Sequence, residues 1–260
     1  MIYEDIGARI KELEFDVKYS YHPNFQIFKK DVLDYAYKRL KINVVVELGC
    51  VWNIDCAYGL YILEKYKPQK IFMVDTDWTD SAIQTCSAHK EITIIDDNFG
   101  KSELPEKIGF VDTVILFDVL LHQVAPDWNR VLQMYAPFTK SFLIVEPIFI
   151  GAPISIRLLD LGKEGYFRNV PHDPSRPLYK ALFEKMYEIY PEHNRIWRDI
   201  HNVWQWGITQ RDLVQTLDNI GFELDYLNNA GQYGDLTNFV YKSFMFIKRN
   251  EMLKKRVDLK

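Results

Sequence analysis

Between residues 43 and 147, five short apolar runs alternate with stretches of helical length, and each run closes on an acid. The first run ends at Glu47, "IFMVD" at Asp75, "ITIID" at Asp96, "VILFD" at Asp118 and "FLIVE" at Glu146. This spacing predicts strands over 43–48, 70–74, 92–95, 113–117 and 142–145, with helices over 58–65, 78–89 and 128–136. Strands that are apolar on both faces and separated by helices require a parallel sheet covered on both sides.

The flanks read differently. Residues 1–40 form an expected helical cap, with Phe25, Phe28, Val32, Ala36 and Leu40 near one helical face. After Glu146-Pro147 the alternation stops. Residues 151–206 hold Pro171, Pro174 and Pro177 and a predicted helix over 178–190, which reads as an inserted lid on the core at 41–150. Within 207–260 the alternation resumes: Thr209 can cap a helix that runs to Ile220, and Gly221 ends it. Extended segments at 222–227 and 239–248, joined by an Asn- and Gly-rich loop at 228–235, then predict an antiparallel hairpin closing the sheet.

Composition narrows the function classes. A net charge of −4 provides no general field for nucleic acid. Three cysteines without framework spacing fit a reducing compartment. The start has no signal-peptide shape and no apolar run is long enough to span a bilayer, so a cytoplasmic protein is expected, with a homodimer left open. The basic tail from Lys248 onward reads as a solvated end. Aromatic residues, at 15%, fill a core or line a pocket.

In an open parallel sheet, ligands bind beyond the carboxyl ends of the strands, so the acids above are the candidate site. An acid closing the second strand can accept hydrogen bonds from a ribose diol, and one after the third can receive an adenine amino group. Each acid alone is more often a solvated turn residue or helix cap; the same placement at three consecutive strand ends is the stronger signal. After the first strand only Gly49 of a glycine-rich loop is present; Val51, Trp52 and Asn53 follow where small residues would let a ligand approach. The G-x-G-x-x-G fingerprint of dinucleotide enzymes is absent, which counts against an NAD-dependent oxidoreductase.

From about residue 44 to 147, and again from 206 to 247, the chain resembles the class I S-adenosylmethionine-dependent methyltransferases. The stretches that carry the resemblance are VVELGC, VDTD, IIDD, FDVLLHQVAPDWNRVLQMYAPFTKSFLIVEP and WGITQRDLVQTLDNIGF. The resemblance implies an α/β, Rossmann-like three-layer sandwich: a mostly parallel seven-stranded sheet with an antiparallel terminal strand. It also implies S-adenosyl-L-methionine as cofactor. Glu47 and Gly49, with Cys50 and Asn53 in the same loop, would lie by its methionine part. Asp75 and Thr76 would lie at the ribose, Asp97 with Asp96 and Asn98 at the adenine, and Asp118 near the methyl-donor end. The chain departs from the family pattern at Val51 and Asn53, where glycine is frequent.

The implied reaction is methyl transfer to a small molecule, with a hydroxyl favoured over a nitrogen and a sugar or natural product as the acceptor class. A hydroxyl acceptor needs a base, and His122, just past the fourth strand, is the candidate; the alternative is a structural or cofactor-contacting histidine. Tyr166, Arg168, His172, His201 and Trp204 of the lid are candidate acceptor contacts or, alternatively, surface and packing residues. No residue set has metal-ligand spacing. A non-catalytic binding protein on the same fold is the rival outside enzymes.

Overall fold

The computed structural model describes residues 22–191 and 194–252. The part of the expected N-terminal cap before His22 and the basic tail beyond Met252 lie outside the described residues. Helix α1 (Ile27–Arg39) leads into β1 (Val44–Leu48), α2 (Ala57–Tyr66), β2 (Lys70–Asp75), α3 (Asp80–Ser87), β3 (Ile92–Asp96), α4 (Leu104–Ile108), β4 (Val111–Phe117), α5 (Trp128–Tyr135) and β5 (Thr139–Phe149). The lid contributes β6 (Ile156–Arg157), α6 (Gly162–Asn169), α7 (Pro177–Glu184), β7 (Ile189–Tyr190), β8 (Arg195–Ile196) and β9 (Trp206–Gly207). Helix α8 (Gln210–Asn219), β10 (Phe222–Tyr233) and β11 (Leu236–Lys248) complete the core.

The seven-stranded sheet has the order β10-β11-β5-β4-β1-β2-β3. Strands β1 to β5 are parallel, and β11 lies antiparallel to both β5 and β10. Chain direction across the sheet reverses between β1 and β4, which fixes the crevice for a ligand at their carboxyl ends. One face is packed by α1, α2 and α3 through Val32, Leu33, Leu60 and Ala82. The other is packed by α5 and α8 through Val131, Leu132, Leu213 and Leu217. The three-layer α/β sandwich expected from the sequence is therefore the fold. None of the helices among the described residues is long and apolar enough to cross a membrane.

Three departures from the expected elements have physical causes. Strand β5 continues through Pro147 rather than stopping before it. The last β4 partner on that side is Val145, so the proline lacks its N–H where no parallel neighbour remains, while β11 still pairs opposite it. Helix α7 ends at Glu184, six residues short of the expected 190, because Ile189 and Tyr190 pair with β8. The segment 228–235, expected as a loop, is largely strand. Asn229 and Gly231 mark a register shift in the β10–β11 ladder, and the reversal itself falls at Gly234 with φ +52°.

Candidate active site

The first strand delivers Glu47 and Gly49 to the crevice. Gly49 has φ +71°, and a Cβ there would lie 2.4 Å from Val119 Cγ1, so only glycine fits between β1 and the loop after β4. The turns that glycine would otherwise supply come from Asn53, Asp55 and Cys56, with φ of 62°, 46° and 64°. Asparagine and aspartate tolerate this region better than most side chains. The loop is held by its own backbone: Asp55 N–H donates to Val51 C=O at 2.9 Å and Cys56 N–H to Cys50 C=O at 2.8 Å. Asn53 is exposed and accepts from the Asn24 amide through both its C=O (2.7 Å) and Oδ1 (3.0 Å). Trp52 is 76% exposed. The Cys50 side chain, in the loop expected by the cofactor, lies in the core. It is fully buried, and its Sγ lies 3.8 Å from that of Cys56.

Gly59, in the first turn of the following helix, has a role that spacing did not reveal. A Cβ at this position would lie 2.7 Å from Glu47 Oε2, so the glycine lets the carboxyl lie against the backbone of α2. Glu47 is enclosed, and its Oε2 has no partner among the described residues. Burial pushes its pKa up to about 8, opposed by the hydrogen bond from Gly59 N–H and by the charge of Lys29.

Asp75 ends β2 with its carboxylate turned toward the glycine loop. Oδ2 accepts from Val51 N–H (2.8 Å), and Oδ1 accepts from Thr76 N–H (2.8 Å) and Asp77 N–H (3.0 Å). A carboxylate has about four acceptor positions, so these three bonds leave one on Oδ2. Asp96, its register neighbour on β3, presents an exposed carboxylate. Asp97, expected at the adenine, pairs with Lys101 Nζ at 2.6 Å, and that bond holds its carboxyl below the usual range. Asn98 Oδ1 is occupied by Gly100 N–H at 2.8 Å.

Beyond β4 the chain turns through Asp118, a non-glycine residue at φ +58° whose N–H donates to Val145 C=O at 2.8 Å. Glu146, fully buried at the neighbouring strand, braces the turn: its Oε1 accepts from Val119 N–H (2.9 Å) and Leu120 N–H (2.7 Å). Burial, with the charge of Asp118, raises the Glu146 pKa well above the ordinary value. The Asp118 carboxylate pairs through Oδ2 with Lys29 of α1 and accepts the Tyr241 hydroxyl at 3.1 Å. Lys29 and Tyr241 were not singled out from the sequence. A signal was present for Lys29, which falls on the apolar face at the spacing Phe25, Lys29, Val32, Ala36.

His122 lies on the same turn. Its Nδ1 is 2.8 Å from Val203 C=O, and a carbonyl only accepts, so Nδ1 carries the proton and Nε2 presents the lone pair. Burial lowers its pKa, opposed by the Val203 hydrogen bond and by Asp118, so the ring is neutral at pH 7.

The lid residues divide. Trp204, 5% exposed, packs edge-on against Tyr233 and Phe239, with ring centroids 5.2 and 5.0 Å apart. His172 stacks on Tyr179 and meets the edge of Trp204 at 6.1 Å; its Nε2 is buried without a partner among the described residues. Burial, a protonated His122 and the charge of Arg176 lower the His172 pKa to about 4. These two residues join His122 and Asp118 at one end of the crevice. The other three have partners within the lid or at its seam with the core. Tyr166 is fully buried in the lid's own core with Phe167, Tyr179 and Phe183. Arg168 is exposed on α6 and donates to Glu164 C=O. His201 Nε2 lies 2.8 Å from Val124 C=O, a tie between lid and core.

Neither protein-family models nor curated protein sequences match this chain. Solved structures do. One is the 1,6-didemethyltoxoflavin-N1-methyltransferase of Burkholderia thailandensis with bound 1,6-didemethyltoxoflavin and S-adenosylhomocysteine. It is 12% identical, with a TM-score of 0.54, over 94% of this chain and 86% of that one. The N-terminal domain of EvdMO1 with SAH bound is also 12% identical, with a TM-score of 0.52, over 95% of this chain and 97% of that one. An O-methyltransferase family protein from Burkholderia thailandensis is 16% identical with a TM-score of 0.48, and the chain spans 54% of its length. The sheet order, the antiparallel terminal strand and the two likenesses with TM-scores above 0.5 together give the chain the fold of the class I S-adenosylmethionine-dependent methyltransferases.

Proposed function

We propose that the protein is an S-adenosylmethionine-dependent methyltransferase that acts on a hydroxyl of a small molecule. The observation that carries the choice of oxygen is His122. It is a neutral imidazole whose Nδ1 is fixed by Val203 C=O, leaving Nε2 as the available base beside Asp118. An amine acceptor that arrives neutral needs no such group, whereas a hydroxyl must lose its proton as the new bond forms.

The residues present fit the cofactor in part. The remaining acceptor position on Asp75 Oδ2 and the exposed carboxylate of Asp96 can take the two ribose hydroxyls. The backbone N–H groups of Trp52 and Asn53, which have no hydrogen-bond partner among the described residues, can take a carboxylate. When bound, S-adenosylmethionine supplies an electrophilic methyl group on a sulfonium, which departs as a neutral thioether. His122 Nε2 receives the hydroxyl proton, Glu146 holds the turn that carries His122, and the lid wall at His172 and Trp204 keeps water out.

Two observations favour a second reading, a binding protein without turnover. Val119 covers Gly49, and three backbone bonds already engage Asp75. Calorimetric titration with S-adenosylhomocysteine separates the two. Micromolar binding that is lost in Asp75→Ala is expected, and its absence would remove the methyltransferase reading. In a methyl-transfer assay on metabolite pools, His122→Ala should keep that affinity and slow transfer at least about tenfold, the low end for a lost general base. A normal rate would assign His122 to structure.

A further inference from the structure

Lys29 belongs to a helix that packs without it. Val32, Leu33 and Ala36 already bury the inner face of α1, yet Lys29 beside them is only 6% exposed. Its ammonium lies over the rings of Tyr58 (5.4 Å) and Phe117 (5.9 Å) and pairs with Asp118 Oδ2. Taking a charge pair out of water costs several kcal/mol per ion, and an apolar side chain would hold the helix at less cost. The pair is also incomplete. Tyr241 donates to the same Oδ2, while Oδ1 is buried with no partner among the described residues. A buried carboxylate oxygen left open is a place for a donor that is not part of the fold.

Helix α1, the β10–β11 hairpin and the lid meet beside this carboxylate. Helix α1 brings Phe28 and Lys29, the β10–β11 hairpin brings Tyr233 and Tyr241, and the lid brings Trp204. Their rings form a continuous wall: Phe28 to Tyr241 at 4.9 Å, Tyr241 to Tyr233 at 4.7 Å, and Tyr233 to Trp204 at 5.2 Å. The charges of Lys29 and Asp118 cancel, so the pair has no net attraction for an ion. Its open positions, Asp118 Oδ1 and the lone pair of His122 Nε2, are acceptors. The complementary ligand is neutral, carries several hydroxyl donors and offers flat C–H faces to aromatic rings.

We infer that Lys29, Asp118 and Tyr241 form a hydroxyl clamp and that the acceptor is a neutral sugar unit. One ring hydroxyl donates to Asp118 Oδ1 and receives a bond from Lys29, while another is the one whose proton His122 takes. Tyr241 fixes the carboxylate and is a positioning residue. This rests on the methyltransferase reading for the second hydroxyl's role, but the clamp is testable without it.

The test is ligand-observed NMR on the full chain, with and without saturating S-adenosylhomocysteine. The probes are the methyl glycosides of glucose, galactose, rhamnose and fucose, set against glucuronate and glucosamine. At least one neutral glycoside should bind about tenfold more tightly than the charged analogues. Tyr241→Phe, which keeps the ring packing, and Lys29→Met should each weaken that glycoside at least about fivefold, the loss of one hydrogen bond to a charged group. Binding of the charged analogues as tightly as the neutral ones, no neutral glycoside bound in either condition, or full glycoside affinity in Tyr241→Phe would each overturn the clamp. Failure of S-adenosylhomocysteine to bind wild type, with glycosides still bound through the clamp, would overturn only the methyltransferase reading.

Discussion

Glu47 shows how one side chain sets a constraint that the loop around it obeys. Its carboxyl is enclosed against the backbone of α2 at Gly59, and burial pushes its pKa up to about 8 from an ordinary 4.5. At neutral pH the folded chain therefore keeps a proton that the unfolded chain has released. Between pH 4.5 and 8 the unfolded state binds fewer protons, so stability falls as pH rises through that window. Glu47→Gln removes the titration and keeps the shape. In urea unfolding at pH 5, 6.5 and 8, the variant should show a flatter decline than wild type. An identical decline in both proteins would place the linkage on another group. Packing at two points explains which glycines the loop keeps. Close approach is needed at Gly49 and Gly59, where a Cβ would collide, while Asn53, Asp55 and Cys56 make the turns between them.

At the scale of elements, donors from α1 and α2 gather on one carboxylate. Asp34 accepts from the hydroxyls of Tyr61 (2.6 Å) and Tyr66 (2.5 Å) and from Lys30 (2.9 Å) and Lys65 (3.0 Å). Burial would raise its pKa, but these four donors outweigh it and bring the carboxyl down to about 2. The folded pKa lies below the unfolded one, so the contribution is full above about pH 4 and lost as pH falls toward 2. Asp34→Asn should cost about 2 kcal/mol at pH 7 and flatten the acid limb of the stability curve. A variant as stable as wild type at pH 7 would mean that the four donors find water equally well. The core elements were legible because apolar periodicity reports burial directly: β1 to β4, α2 and α5 fall within a few residues of expectation. Elements whose form depends on a partner were not. Pro147 reads as a stop until the end of β4 beside it is known, and Asn229 and Gly231 read as a turn until β11 pairs through them. The site divides in the same way. Strand-end acids were visible as types, but the pairing of Asp97 with Lys101, and of Asp118 with Lys29 from 89 residues earlier, depends on tertiary geometry.

For the whole molecule, the lid and the sheet share a core, and His122 stands at their junction. Leu121 from the turn, Phe149 from β5 and Phe239 from β11 pack with Leu158, Tyr179, Leu182 and Trp204 of the lid. The backbone follows the same seam: Gln205 N–H donates to Leu121 C=O at 3.0 Å, and the Trp206 indole donates to Gln123 C=O at 2.7 Å. The lid thus supplies both the carbonyl that fixes the His122 tautomer and the cover that depresses its pKa. Loosening the lid from within should be felt at His122 without touching it. Leu182, fully buried on α7, is the probe: Leu182→Ala leaves a cavity worth about 2–5 kcal/mol in the lid core. Water admitted above the imidazole stabilises its charged form, so the His122 pKa should rise toward the ordinary 6.5. An NMR titration of the histidine side chains in wild type and Leu182→Ala measures the shift, with His122→Gln assigning the resonance. A lid that is destabilised while the His122 pKa stays put would mean that the β4 turn and Glu146 alone keep the base dry. In that case the lid would wall the acceptor without setting its chemistry.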